Sequence, residues 1–158
     1  SIRAGPCYSA PMSWEQEYLV LTAAIREAGD EALRLAKDGF QTYTKPDNSP
    51  VTSADHAVNT ILMDRLLGRF PDDGWLSEET PDTAARLAKP RVWVIDPIDG
   101  TKAFIRREPE YCISVALIEG TQPRLAAIFN PLTNELYTAI RGQGLHLDRK
   151  STRLNSSH

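Results

Sequence analysis

No stretch of the 158-residue chain approaches the roughly 18–20 consecutive apolar residues that a bilayer-spanning helix needs. The opening SIRAGPCYSAPM lacks the apolar core of a signal peptide. Cysteine is scarce: Cys7 and Cys112 form neither a disulfide framework nor a metal-ligand spacing. A reducing, cytoplasmic setting is therefore the expectation, with Cys112 a small buried hydrophobe in an apolar strand. A basic excess is missing too, because the formal charge is −3, which argues against a nucleic-acid backbone as partner. With membrane and nucleic-acid polymer set aside, what remains is 41% apolar and 25% charged. That is the composition of one ordinary soluble domain long enough to bury a core.

Both ends read as foreign to that domain. Ser13 and Gln16 have capping-box spacing just after Met12, so translation is expected to start at Met12, leaving residues 1–11 as an upstream non-native segment. The tail DRKSTRLNSSH (148–158) is polar, basic and without periodicity. One legal back-translation of it resembles a common short-read sequencing adapter, and residues 148–158 are expected to be an artefactual, disordered tail. The domain proper would then span residues 12–147.

Within it, Trp14, Tyr18, Leu21, Ile25, Ala28, Ala32 and Leu35 alternate spacings of four and three, the stripe of a helix closed by Gly39. A Pro/Asn/Ser-rich stretch (40–55) begins with a short β-prone piece and continues as an irregular loop. A second helix is predicted from Thr52 or Ser53, carrying Val58, Ile61, Leu62 and Leu66 and stopping at Gly68. The period then shortens to two. Residues 75–78, 91–96, 111–120, 123–130 and 135–140 read as strands, the last three an antiparallel meander joined by short turns. Two helices followed by a run of strands predict an α+β fold, helices packed on a mainly antiparallel sheet.

Acidic residues gather where strands stop. Glu78 and Glu79 end one strand, Asp96 ends the next, and Asp99 follows in the turn. Carboxylates converging in this way raise one another's pKa unless a cation compensates, and hard oxygen donors suit Mg²⁺. Pro97 fixes the turn and Gly100 permits close backbone approach. A helix starting at Thr101 would aim free N–H groups at an anion such as phosphate. Cations beside a phosphate cradle describe metal-assisted phosphoryl chemistry. The haloacid dehalogenase signature also runs a hydrophobic strand into D-x-D-G-T, but here the aspartates are three apart with a proline between them. An EF-hand loop would need alternating ligands and a late Glu, which this stretch lacks.

Taken in order, SPVTSAD (49–55), WLSEE (75–79), WVIDPIDGT (93–101) and FNPLTNELYTAIRGQG (129–144) resemble the inositol monophosphatase superfamily of Mg²⁺-dependent, lithium-sensitive phosphatases. The resemblance runs over residues 12–147. It implies the N-terminal lobe of that family's layered sandwich. Within the family, KPDNSPVT and LSEE look closest to bacterial 3′(2′),5′-bisphosphate nucleotidases, which act on adenosine 3′,5′-bisphosphate. Inositol-1-phosphate phosphatases are the alternative, and a non-catalytic piece that only binds divalent cation is the alternative of a different class.

The resemblance also implies roles. Glu78, Asp96, the Ile98 carbonyl and Asp99 would hold metal, two or three Mg²⁺ ions in the complete enzyme. Glu78, Ile98, Asp99, Gly100 and Thr101 would surround the phosphate of a small phosphorylated metabolite. Glu78 would orient the nucleophilic water, and Thr101 paired with Asp55 would help deprotonate it. Glu79 reads as a neighbour of that set or as solvated, Lys45 as a surface lysine ahead of one that approaches the phosphate or the metal site, His56 as helix surface, and Trp75 and Trp93 as core. A further metal-binding aspartate in a Trp-Asp motif belongs to the family pattern, and no Trp-Asp dipeptide occurs here. The chain is therefore expected to hold an incomplete second metal site and an open, apolar sheet face. Similar enzymes are commonly homodimers.

Overall fold

The computed structural model describes residues 13–149. Cys7, the start at Met12 and tail residues 150–158 lie outside the described residues. Helix α1 (Glu15–Asp38) buries Leu21, Ala24, Ile25, Ala28 and Ala32 along one side. A hairpin of β1 (Thr42–Thr44) and β2 (Pro50–Thr52) leads into α2 (Ser53–Arg69). After β3 (Gly74–Ser77) and a 3₁₀ turn over Ala84–Ala88 comes β4 (Arg91–Asp99), then the short α3 (Thr101–Ile105). Strands β5 (Cys112–Glu119), β6 (Gln122–Asn130), β7 (Glu135–Ile140) and β8 (Gly144–Arg149) complete a six-stranded sheet in the order β3-β4-β5-β6-β7-β8. Only β3 and β4 run parallel; the other neighbours are antiparallel. The fold is α+β, with helices on a mainly antiparallel sheet, as the periodicities predict.

Both long helices pack on one face of the sheet. There Trp93, Ile95, Ile113, Val115, Leu117, Leu125, Ala127, Phe129 and Leu136 join the buried helix residues in a single core, the main source of favourable burial energy. On the opposite face Ile128, Tyr137 and Leu147 stand side by side in register across β6, β7 and β8, and all three are exposed. The expected open apolar face is thus present. No helix among the described residues is long and apolar enough to cross a membrane.

Several boundaries differ from the sequence reading. Helix α1 begins at Glu15 with Trp14 as its cap and no side-chain capping bond. Ser13 instead accepts the Glu15 N–H at 3.3 Å, too early in the chain to form a box with Gln16. Gly39 does close α1, its N–H returning to the Leu35 carbonyl. Helix α2 passes Gly68 to end at Arg69. The loop after β1 is regular in part, since Pro50–Thr52 pairs back on it as an edge strand, where proline's missing N–H costs nothing. Strand β8 has no counterpart in the sequence reading. It includes Asp148 and Arg149, which pair with Arg26 and Glu135.

Candidate active site

Parallel pairing of β3 and β4 is what brings the acids together. Ser77 lies opposite Ile95, so Glu78, the first residue past β3, and Asp96, the next residue of β4, come to the same end of the parallel pair. The Glu78 N–H points to the Ile95 carbonyl at 3.4 Å. Strand β4 continues through Pro97 with a register shift between Asp96 and Asp99, a bulge that re-aims side chains at the end of a strand. Gly100 then turns the chain at φ +97°, and a Cβ there would stand 2.6 Å from the Glu110 carbonyl oxygen. Both facts demand glycine.

A cleft of about 390 Å³ follows, lined by Glu78, Glu79, Asp96, Ile98, Asp99, Gly100 and Thr101. A larger cavity of about 470 Å³, between the start of α1 and the β7–β8 turn, holds no such group of acids.

Behind the cleft lies Asp55, 1% exposed. Thr52 caps α2: its hydroxyl accepts the N–H groups of Ala54 and Asp55. In return Asp55 Oδ2 accepts the Thr52 N–H and hydroxyl, both at 2.7 Å. This reciprocal box uses one carboxylate oxygen and leaves the other free to accept the Thr101 hydroxyl at 3.0 Å. That hydroxyl is also 3.2 Å from the Ile98 carbonyl. Asp55 thus holds Thr101 from beneath while serving its own helix.

Lys45 is the principal correction. It is not a free surface lysine but bonds Glu79 at 2.9 Å, with the Glu79 side chain only 7% exposed. The hairpin turn aims it: the Lys45 N–H donates to the Ser49 carbonyl and its own carbonyl accepts from Asn48, which sits at φ 71°. The bond to Glu79, then the charges of Glu79, Glu78 and Asp55, raise the Lys45 pKa. Glu79 is accordingly paired rather than solvated. His56 is exposed on α2 and Trp93 is fully buried, both as expected. Trp75 is partly buried against the core. Cys112 is half-buried rather than buried, since it sits opposite Asp99 at the sheet's end. Burial first, then Asp99 and Asp96, raise its thiol pKa.

Asp96 reports the electrostatics of the cleft. Burial first, then the charges of Asp99, Glu78, Asp55 and Glu79, push it up to about 6. Charged oxygens that disfavour one another's ionisation match the donor chemistry of a small, hard divalent cation. As they lie, no three His, Cys, Asp or Glu side chains among the described residues stand close enough to grip one. The donor set fits Mg²⁺ in kind, and closing it requires movement or further donors.

A two-layer α+β lobe with such a cleft at its strand ends belongs to a known class of protein. The chain matches the Inositol monophosphatase family over residues 13–158, and it is a member of that family, whose members are metal-dependent phosphomonoesterases. Among its relatives, the 3′(2′),5′-bisphosphate nucleotidase CysQ of Escherichia coli K12 is 42% identical over 122 residues, covering 75% of this chain and 49% of CysQ. The structure of the extragenic suppressor protein suhB from Bartonella henselae superposes with TM-score 0.79 at 28% identity, over 85% of this chain and 53% of that one. An IMPase/NADP phosphatase solved with Mg²⁺ and phosphate superposes at 0.76 with 26% identity, over 84% and 51%. The chain spans about half the length of the curated relatives it matches.

Proposed function

We propose that this chain carries the N-terminal lobe of a Mg²⁺-dependent phosphate monoesterase, a 3′(2′),5′-bisphosphate nucleotidase acting on adenosine 3′,5′-bisphosphate. One observation supports this above the others. Parallel pairing of β3 and β4 brings Glu78 and Asp96 to the same end of the two strands, in one cleft with Asp99, Ile98 and a Thr101 hydroxyl bonded to buried Asp55. The 42% identity to CysQ over 75% of this chain supports the substrate class.

Glu78, Asp96, Asp99 and the Ile98 carbonyl would hold Mg²⁺. Bound there, the metal supplies Lewis acidity and neutralises charge on the phosphoryl oxygens. Thr101 and Asp55 form the proton path. As a water oriented by Glu78 gives a proton to the Thr101 oxygen, Thr101 passes its own proton to Asp55 Oδ1, so the threonine stays neutral and the water becomes hydroxide. Gly100 and Thr101 lie where the phosphate would rest, while Lys45 offsets the cleft's negative charge through Glu79. The remaining metal donor and the residues that choose the nucleoside would come from a second half such as the relatives possess, so the chain alone is expected to bind cation without efficient turnover.

The test is phosphate release from adenosine 3′,5′-bisphosphate and from inositol-1-phosphate with Mg²⁺. It compares this chain alone with the same chain in the full-length product of its own gene. The full-length enzyme should prefer the nucleotide, and Glu78→Gln should lower kcat by at least about 100-fold, on the scale of a lost transition-state interaction. Activity indifferent to Mg²⁺ and to that substitution would sink the proposal. A preference for inositol-1-phosphate would reassign the substrate.

A further inference from the structure

Helix α2 carries a second buried polar side chain one turn beyond Asp55. Asn59 is 8% exposed and sits at i+4 from Asp55, hence on the same helix face. Its neighbours Val58 and Leu62 belong to the core. A carboxamide in such surroundings is costly unless both ends are hydrogen-bonded, and here both are. Asn59 Oδ1 accepts the Ser77 hydroxyl at 2.6 Å, and Nδ2 donates to Thr80 Oγ1 at 2.8 Å.

Both hydroxyls also serve the turn itself. Ser77 Oγ accepts the Glu79 N–H at 3.2 Å, leaving its proton for Asn59. Thr80 Oγ1 also receives the Trp75 indole N–H at 3.2 Å, and an indole can only donate. Asn59 therefore grips the two residues that bracket Glu78 and Glu79. One helix thus braces both sides of the cleft: Asp55 holds Thr101, and Asn59 holds the turn that carries the glutamates.

We propose that Asn59 is a positioning residue, setting the aim of Glu78 towards a divalent cation and of Glu79 towards Lys45. It touches neither substrate nor metal and acts through Ser77 and Thr80. The inference rests on the metal reading of the cleft given above.

The test is Mn²⁺ titration of the 158-residue chain followed by electron paramagnetic resonance, with the cation-free unfolding midpoint recorded for each variant. Glu78→Gln should abolish the site. Asn59→Leu and Thr80→Val should each weaken Mn²⁺ binding about tenfold, the scale found for groups that orient metal ligands. The double variant should bind no more weakly than Asn59→Leu alone, because both changes break one clamp. Titrations run well below each midpoint separate this loss from reduced stability. Should Asn59→Leu fail to fold, Thr80→Val keeps the side-chain shape and carries the comparison by itself. Wild-type affinity in the clamp variants, alongside loss in Glu78→Gln, would overturn the positioning role and leave the metal reading standing. No Mn²⁺ site in the wild type, or an undiminished one in Glu78→Gln, would overturn both.

Discussion

On one side of the cleft Asp55 is buried and accepts three hydrogen bonds, two from Thr52 and one from Thr101. On the other, burial and then the charges of the carboxylates around it push Asp96 up to about 6. The two aspartates border one cleft and are opposite in energetics. The first is held by satisfied donors and strengthens the fold; the second carries repulsion that a bound cation would relieve. Rigidity on one side and stored charge on the other suit a site that must position a hydroxyl yet take up an ion.

The sharpest way to break that contrast is Asp55→Ala. It removes the carboxylate half of the α2 capping box and strands the two Thr52 donors in a buried place, while the Thr101 hydroxyl keeps the Ile98 carbonyl as acceptor. A lost cap costs about 1 kcal/mol, and unsatisfied buried donors add to it. The expected loss is about 3 kcal/mol in urea unfolding of the cation-free chain. A variant as stable as the wild type would erase the distinction between the two sides.

Asp96→Asn should act in the opposite direction. Its acid is raised in the folded state from the ordinary 3.8 to about 6, so the fold favours the protonated form. That contribution is fully present below about pH 4 and is lost as pH rises through about 6. The cation-free wild type should therefore lose stability across this window. At pH 7.5 the asparagine variant should be the more stable, by about 3 °C in the unfolding midpoint, because partial exposure screens the gain to roughly 1 kcal/mol. The same variant should lose the stabilisation that Mg²⁺ gives the wild type. A midpoint that falls in Asp96→Asn, or a wild type insensitive to pH between 4 and 7, would put both aspartates on the same footing.

How much of this could be seen in the sequence follows from the range of each interaction. Strand β4, its two aspartates and the Glu78–Glu79 pair announce themselves through local period and spacing, and the helix after Gly100 through its turn chemistry. The α2 start at Thr52 is local as well. The pairing of Lys45 is not legible in the sequence, because nothing near it signals Glu79, 34 residues on. Only Asn48 at positive φ hints at the tight turn that aims it. Asn59 left a faint signal, a polar residue one turn from Asp55 on an apolar helix face, but its partners Ser77 and Thr80 come from another element. Strand β8 was missed because its alternating Leu145 and Leu147 remain exposed and its last residues look like polar tail. Its pairing with β7, rather than burial, makes it a strand.

The smallest expected effect separates charge from mere burial. Tyr111 precedes β5, is 3% exposed, and packs edge-on to Phe104 at 5.1 Å between ring centroids. Its hydroxyl is buried with no hydrogen-bond partner among the described residues, and burial pushes it up to about 12. Like Asp96 it is a polar group that the fold accommodates at a cost, but it is neutral throughout the range in which Asp96 titrates. Tyr111→Phe keeps the ring contact and removes the unpaired hydroxyl, so it should leave stability unchanged or raise it by up to about 1 kcal/mol. Urea midpoints from pH 4 to pH 8 distinguish the two cases. The gain in Tyr111→Phe should be the same at every pH, whereas the gain in Asp96→Asn should vanish towards pH 4, where the wild-type acid is protonated in the folded chain. If the tyrosine variant also changed its gain with pH, the cost at Asp96 could no longer be assigned to the ionisation of its own carboxyl group.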